Sequence, residues 1–108
     1  MKKQTMKTEE IKKIREYYGL KKTQMSVLCG FGINQWGNYE AGSLPSASNE
    51  RLIFLLNYPK NFLKMTEFIS EPDKQAIGVK VLQEARKKVE ESLREHESSF
   101  SQKTIINV

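Results

Sequence analysis

The sequence predicts an all-α protein, with five short helices followed by one long charged helix. Three observations predict it. Apolar residues recur three and four positions apart through most of the chain, the spacing that lines one face of a helix. Glycines and prolines stand between these runs, at Gly19, Gly30, Gly32, Gly42, Pro59 and Pro72, where helices stop or start. The stretch 20–42, LKKTQMSVLCGFGINQWGNYEAG, reads as two short helices around a tight turn. All other elements are organised around that pair.

In chain order, residues 1–7 read as a flexible basic arm. Thr8 can cap a first helix whose opening turn holds Glu9 and Glu10, both suited to the positive helix end. Ile11, Ile14 and Tyr18 give it an apolar face, and Gly19 stops it. A second helix is expected from Lys22 to Cys29, with Met25 and Leu28 on its apolar side. Gly30-Phe31-Gly32 breaks it, because glycine tolerates backbone angles that side chains resist. A third helix is expected from Ile33 to Ala41, ended by Gly42. After a polar loop, Ser48 is the expected cap of a fourth helix with Leu52, Ile53, Leu55 and Leu56 as core. Pro59 opens a fifth, carrying Phe62, Leu63, Met65, Thr66 and Ile69.

Glu71-Pro72-Asp73 marks a boundary, followed by one helix from Pro72 to Glu97. Its narrow stripe of Ile77, Val81, Leu82, Ala85, Val89 and Leu93 fits a seam between two copies, or else a solvent-exposed extension. The expected organisation is therefore an arm over 1–7, a domain over 8–70, a dimerising helix over 71–98 and a flexible tail over 99–108. Within that tail, TIINV could add as an edge strand to a partner.

Composition narrows the function classes. At 108 residues there is room for one small core and one appendage. A single cysteine, Cys29, excludes an internal disulfide and a cysteine-based zinc cage, so no metal or cofactor is expected. No apolar run is long enough to cross a bilayer, and MKKQTMKTEE lacks the apolar stretch of a secretory signal. No membrane role is expected, and the expected location is cytoplasmic. The lone histidine, His96, has no paired carboxylates or phosphate-cradling motif near it, so an enzyme is not expected. The net charge of +5 is concentrated: residues 1–24 hold eight basic and three acidic side chains, while 25–70 and 71–108 each balance. A polyanionic partner accounts for that asymmetry, although for Lys2 and Lys3 alone a solubilising arm is the preferred reading.

Stepping about 100° per residue along the third helix separates two faces. Trp36, Tyr39 and Glu40 fall on one side, and Asn34, Gly37, Asn38 and Ala41 on the other. Amides both donate and accept, which suits the edge of adenine in the major groove, and the small residues between them let the backbone come close. The competing reading is a solvated face with two indifferent asparagines.

The frame Gly19-Leu20, Met25, Ser26, Leu28, Cys29, Gly30-Phe31, Trp36, Tyr39-Glu40, Gly42 and Pro45-Ser46 resembles the lambda-repressor/Cro-type helix-turn-helix family, also called the xenobiotic-response-element type. GFGINQWGNYEAG followed by RLIFLLNYPKNFL is similar to the DNA-binding half of MqsA-like antitoxins, and the likeness spans residues 8–68. The resemblance implies a five-helix lambda-repressor-like helix-turn-helix domain; the long C-terminal helix after it rests on the apolar pattern alone. The resemblance also implies an ion pair between Arg15 and Glu40 that ties the first helix to the third. Departures are visible too. The usual Ser or Thr before the recognition helix is Gly32, the favoured alanine of the scaffold helix is Ser26, and the antitoxins' arginine is Asn38. The cysteine-rich zinc domain through which those antitoxins bind toxin has no counterpart.

The leading expectation is a dimeric, sequence-specific regulator of transcription, a repressor or antitoxin-type autoregulator bound to double-stranded DNA. Asn34 and Asn38 would read base edges, with Gln35 beside them and Ile33 against a thymine methyl group. Lys21, Lys22 and Thr23, at the start of the scaffold helix, would hold phosphates together with Ser43, Ser46 and Ser48 of the loop. The alternative is a protein-interaction adaptor, or an antitoxin facing a cognate toxin or another protein, with the helix pair kept mainly as a scaffold.

Overall fold

The computed structural model describes residues 5–95 and 104–106. The described residues are all-helical, in the order α1 (Thr8–Tyr18), α2 (Lys22–Cys29), α3 (Gln35–Glu40), α4 (Ala47–Leu55), α5 (Pro59–Phe68), α6 (Glu71–Ile77) and α7 (Val79–Glu95). None of these helices is long and apolar enough to cross a membrane. His96 and most of the expected tail lie outside the described residues.

One continuous core joins all seven. Ile11, Ile14 and Tyr18 of α1 meet Met25 and Leu28 of α2, Trp36 and Tyr39 of α3, Ile53 of α4 and Phe62 of α5. Tyr18 stacks flat on Phe62 at 3.9 Å between ring centroids, and its hydroxyl donates to the carbonyl of Leu56. Burial raises the Tyr18 phenol well above its ordinary range, so the donor is kept.

The expected long helix is two helices. Gly78, at φ 111° and ψ 115°, occupies a backbone region that a side chain resists, and the chain turns there. Ser70 caps α6 by accepting the Asp73 N–H. The boundary expected at 71 is thus the start of a helix packed on α2, and Gln24 ties the two by donating to the carbonyl of Ile77 at 2.9 Å. The apolar stripe is not a free seam either. Ile77, Leu82, Ala85 and Val89 are buried in the same core, where α7 packs against α1, α5 and α6. Arg86 reaches the Leu63 carbonyl, the Thr66 hydroxyl and Glu67, while the Lys88 ammonium donates to the Tyr17 carbonyl. These contacts fasten α7 along its length.

Smaller corrections follow the backbone. Thr8 is the first residue of α1, not its cap; Lys7 precedes the helix in extended conformation and its N–H is taken by Glu10. Ser46, not Ser48, caps α4, because its extended backbone aims Oγ at the Asn49 N–H. Leu55, expected in the core, is half exposed at the last turn of α4. Part of the expected arm is tethered, since Met6 donates its N–H to Glu50 at 2.6 Å. Ile106, expected in a flexible tail, is buried.

Candidate nucleic-acid interface

The α2–turn–α3 unit is held by local chemistry. Gly30 ends α2 at φ 74°, and the Phe31 N–H returns to the carbonyl of Ser26. Phe31 then packs edge-on against Tyr39 at 5.7 Å, fixing the turn against α3. The third helix is shorter than expected. A turn closed by the Gln35 N–H on the Gly32 carbonyl occupies Ile33 and Asn34, so Asn34 precedes the helix. At the far end the Gly42 N–H meets the Tyr39 carbonyl and the Ser43 N–H meets the Asn38 carbonyl. Gly42 sits at φ 118° in this closure, which satisfies carbonyls that the helix itself leaves open.

The two faces of α3 separate as the spacing predicts. Trp36 and Tyr39 are buried, while Asn34 and Asn38 are exposed. Glu40 is the hub of the buried side. Its carboxylate accepts Arg15 Nε at 2.6 Å, Arg15 Nη2 at 3.1 Å and Trp36 Nε1 at 2.7 Å. The Arg15–Glu40 pair implied by the resemblance is present and bidentate, a geometry that fixes orientation as well as charge. Burial by itself raises the Glu40 carboxyl. Hydrogen bonds from Arg15 and Trp36, with the positive charges of Arg15 and Lys22, outweigh burial and hold it below the usual carboxylate range. The hydrogen bond to Glu40 in turn raises Arg15. Both stay charged at neutral pH.

Asn34 makes no side-chain cap for α3, and Gly32 has none to offer. The missing cap comes from α2: the fully buried Ser26 Oγ accepts the Trp36 N–H at 2.9 Å. That position is among the helix-start donors with no intrahelical partner. Ser26 thus supplies the hydroxyl that Gly32 lacks. Sequence reading missed Ser26 in this role, although a glycine in the capping place was a signal to look for another hydroxyl.

The expected contact residues are distributed as follows. Lys21, Lys22 and Thr23 are exposed at the start of α2. The Lys22 stem lies along α3, so that a Cβ on Gly37 would stand 3.5 Å from its Cδ. That distance is ordinary van der Waals contact, so the Lys22 stem packs against α3 without requiring a glycine there. Ile33 is 54% exposed beside Asn34, whereas Gln35 is half-buried. Ser43, Ser46 and Ser48 are exposed, with the Ser46 oxygen engaged as the cap of α4. Asn49, which sequence reading passed over, joins α4 to α3 by donating to the Tyr39 hydroxyl at 2.9 Å.

Comparison with protein-family models, curated proteins and solved structures finds no match to this chain. Cys29 is no competing site: burial pushes its thiol up to about 12, so it stays protonated at neutral pH. Among the described residues no group of three or more His, Cys, Asp or Glu side chains is placed to hold a metal ion.

Proposed function

We propose that this chain is a sequence-specific reader of double-stranded DNA and acts as a regulator of transcription, with α2, the turn and α3 as a helix-turn-helix. The observation that carries the reading is the division of α3. One face is locked into the core by Trp36, Tyr39 and the Glu40 hub, while the other presents the exposed amide of Asn38, with the exposed amide of Asn34 in the turn just ahead of it. A rigid helix with a thin polar face fits the major groove, where an amide pairs with the N6 and N7 edge of adenine. Ile33, ahead of the helix, is the apolar contact for a thymine methyl group.

In this reading Lys21 and Lys22 anchor phosphates beside the groove, where they contribute affinity without sequence information. The basic surplus of residues 1–24 then adds electrostatic affinity for the polyanion. Two copies on a two-fold repeat would double the base contacts, with half-sites about 34 Å apart.

The test separates the two roles. Asn34→Ala and Asn38→Ala should each remove about 1–3 kcal/mol of discrimination between duplexes while leaving the fold intact. Replacing Lys21 and Lys22 by alanine should weaken all duplexes alike and flatten the salt dependence by roughly one slope unit per lost contact. Unchanged selectivity in both asparagine variants contradicts the reading.

A further inference from the structure

The bend between α4 and α5 carries a second recognition feature, distant in sequence from the α2–α3 unit. Asn57 is fully buried there. Its Oδ1 accepts the N–H groups of Ile105 at 3.0 Å and Ile106 at 2.7 Å, and its Nδ2 donates to the Ile106 carbonyl at 3.3 Å. The Asn57 backbone carbonyl also accepts the Ile105 N–H at 3.0 Å. Among the described residues, every hydrogen bond of the Asn57 side chain goes to the backbone of one short segment. Ile106 alone supplies a deeply buried side chain from that segment, at 6% exposure.

This is how a protein grips a peptide: main-chain bonds give affinity and one side-chain hole gives selectivity. We propose that the recess at Asn57 is a binding site for a partner's peptide segment carrying a β-branched apolar residue, and that Thr104–Ile106 closes it in cis. The segment seated in it defines the ligand chemistry. The site takes two successive peptide units through a buried amide, and an isoleucine or valine side chain at the second. The segment belongs to the same chain, so it competes as an intramolecular occupant. A trans ligand must displace it. The proposal does not depend on the DNA reading, since neither Asn57 nor Ile106 belongs to that surface.

The probe is a synthetic peptide of residues 102–108, QKTIINV, titrated against full-length protein. Ile106→Asp places a charge in the apolar hole and should empty the recess. The peptide should bind this variant saturably, at least about tenfold more tightly than wild type because the cis competitor is gone. It should also raise the variant's melting temperature. A peptide with aspartate in place of its second isoleucine should not bind, nor should the wild-type peptide bind the double variant Asn57→Ala/Ile106→Asp. Equal or absent binding to a folded Ile106→Asp protein overturns the proposal. Should that variant not fold, hydrogen exchange on wild type decides. The Ile105 and Ile106 amides should exchange through a local opening, faster than the Ile14 amide, and excess peptide should quicken their exchange. Exchange of all three only through global unfolding, indifferent to peptide, makes the segment a fixed part of the core and overturns the proposal.

Discussion

Replacing Ser26 by alanine isolates the device that starts α3. The hydroxyl oxygen is the partner of the Trp36 N–H at 2.9 Å, and Ser26 and Trp36 are both fully buried. Without it that donor is stranded where neither water nor another acceptor reaches, a loss of about 1–3 kcal/mol. Alanine returns about 0.5 kcal/mol, because it is the better helix former within α2. A net loss near 1.5 kcal/mol lowers the melting midpoint by about 6–12 °C for a domain of this size. The assay is thermal and urea unfolding followed by circular dichroism, with native spectra compared first to confirm the same fold. Ser26→Cys adds a control, since it nearly preserves volume but supplies only a weak acceptor. It should fall with alanine and not with serine. Stability of Ser26→Ala at or above wild type refutes the cap; stability of Ser26→Cys at wild-type level shows that packing, not the hydrogen bond, is at work.

The Glu40 hub predicts an acid limb. Its folded-state pKa lies below the ordinary glutamate value, so its contribution is complete above about pH 4.3 and is lost as pH falls through the folded value. Urea midpoints across pH 3–7 should therefore drop at the acid end for wild type and drop less for Glu40→Gln; parallel profiles contradict the assignment. Arg15→Met leaves a carboxylate whose side chain is only 7% exposed without its cation, and should cost about 3 kcal/mol while raising the Glu40 pKa. A wild-type melting temperature in that variant would show the pair to be ornamental. A chain ended at Ser70 should not fold cooperatively. It lacks Ile77, Leu82 and Val89, each contributing about 1.5–3 kcal/mol of burial against a total stability of about 5–15 kcal/mol. A sharp wild-type-like melt of that fragment contradicts the single core.

The parts legible in the sequence were those set by local spacing. Trp36 and Tyr39 fall on the buried face of α3 because three-residue spacing in a helix places them together, whatever the rest of the chain does. The extents of α2 and α5 follow from the glycine and proline beside them. What escaped was set by tertiary partners. The apolar spacing runs on through Gly78 because α6 and α7 feed the same core, so the pattern hides a break that only the backbone angle reveals. The stripe on α7 carries no mark of what covers it; a partner copy and the chain's own α1 and α5 require the same residues. The Asn57 recess pairs positions 48 and 49 residues apart through backbone groups, and backbone groups leave no trace in residue identity. Ser26 lay between these cases: its partner is ten residues away, and the glycine at position 32 was the clue.

The central claim is that the exposed face of α3 reads DNA sequence, and selection of bound duplexes from a random pool measures it most directly. At moderate salt the full chain should enrich one short motif, as a two-fold repeat when two copies bind, and Asn34→Ala/Asn38→Ala should lose the enrichment while retaining salt-sensitive binding. Recovery of unenriched duplexes by the wild-type protein, or the same motif from the double variant, contradicts the claim.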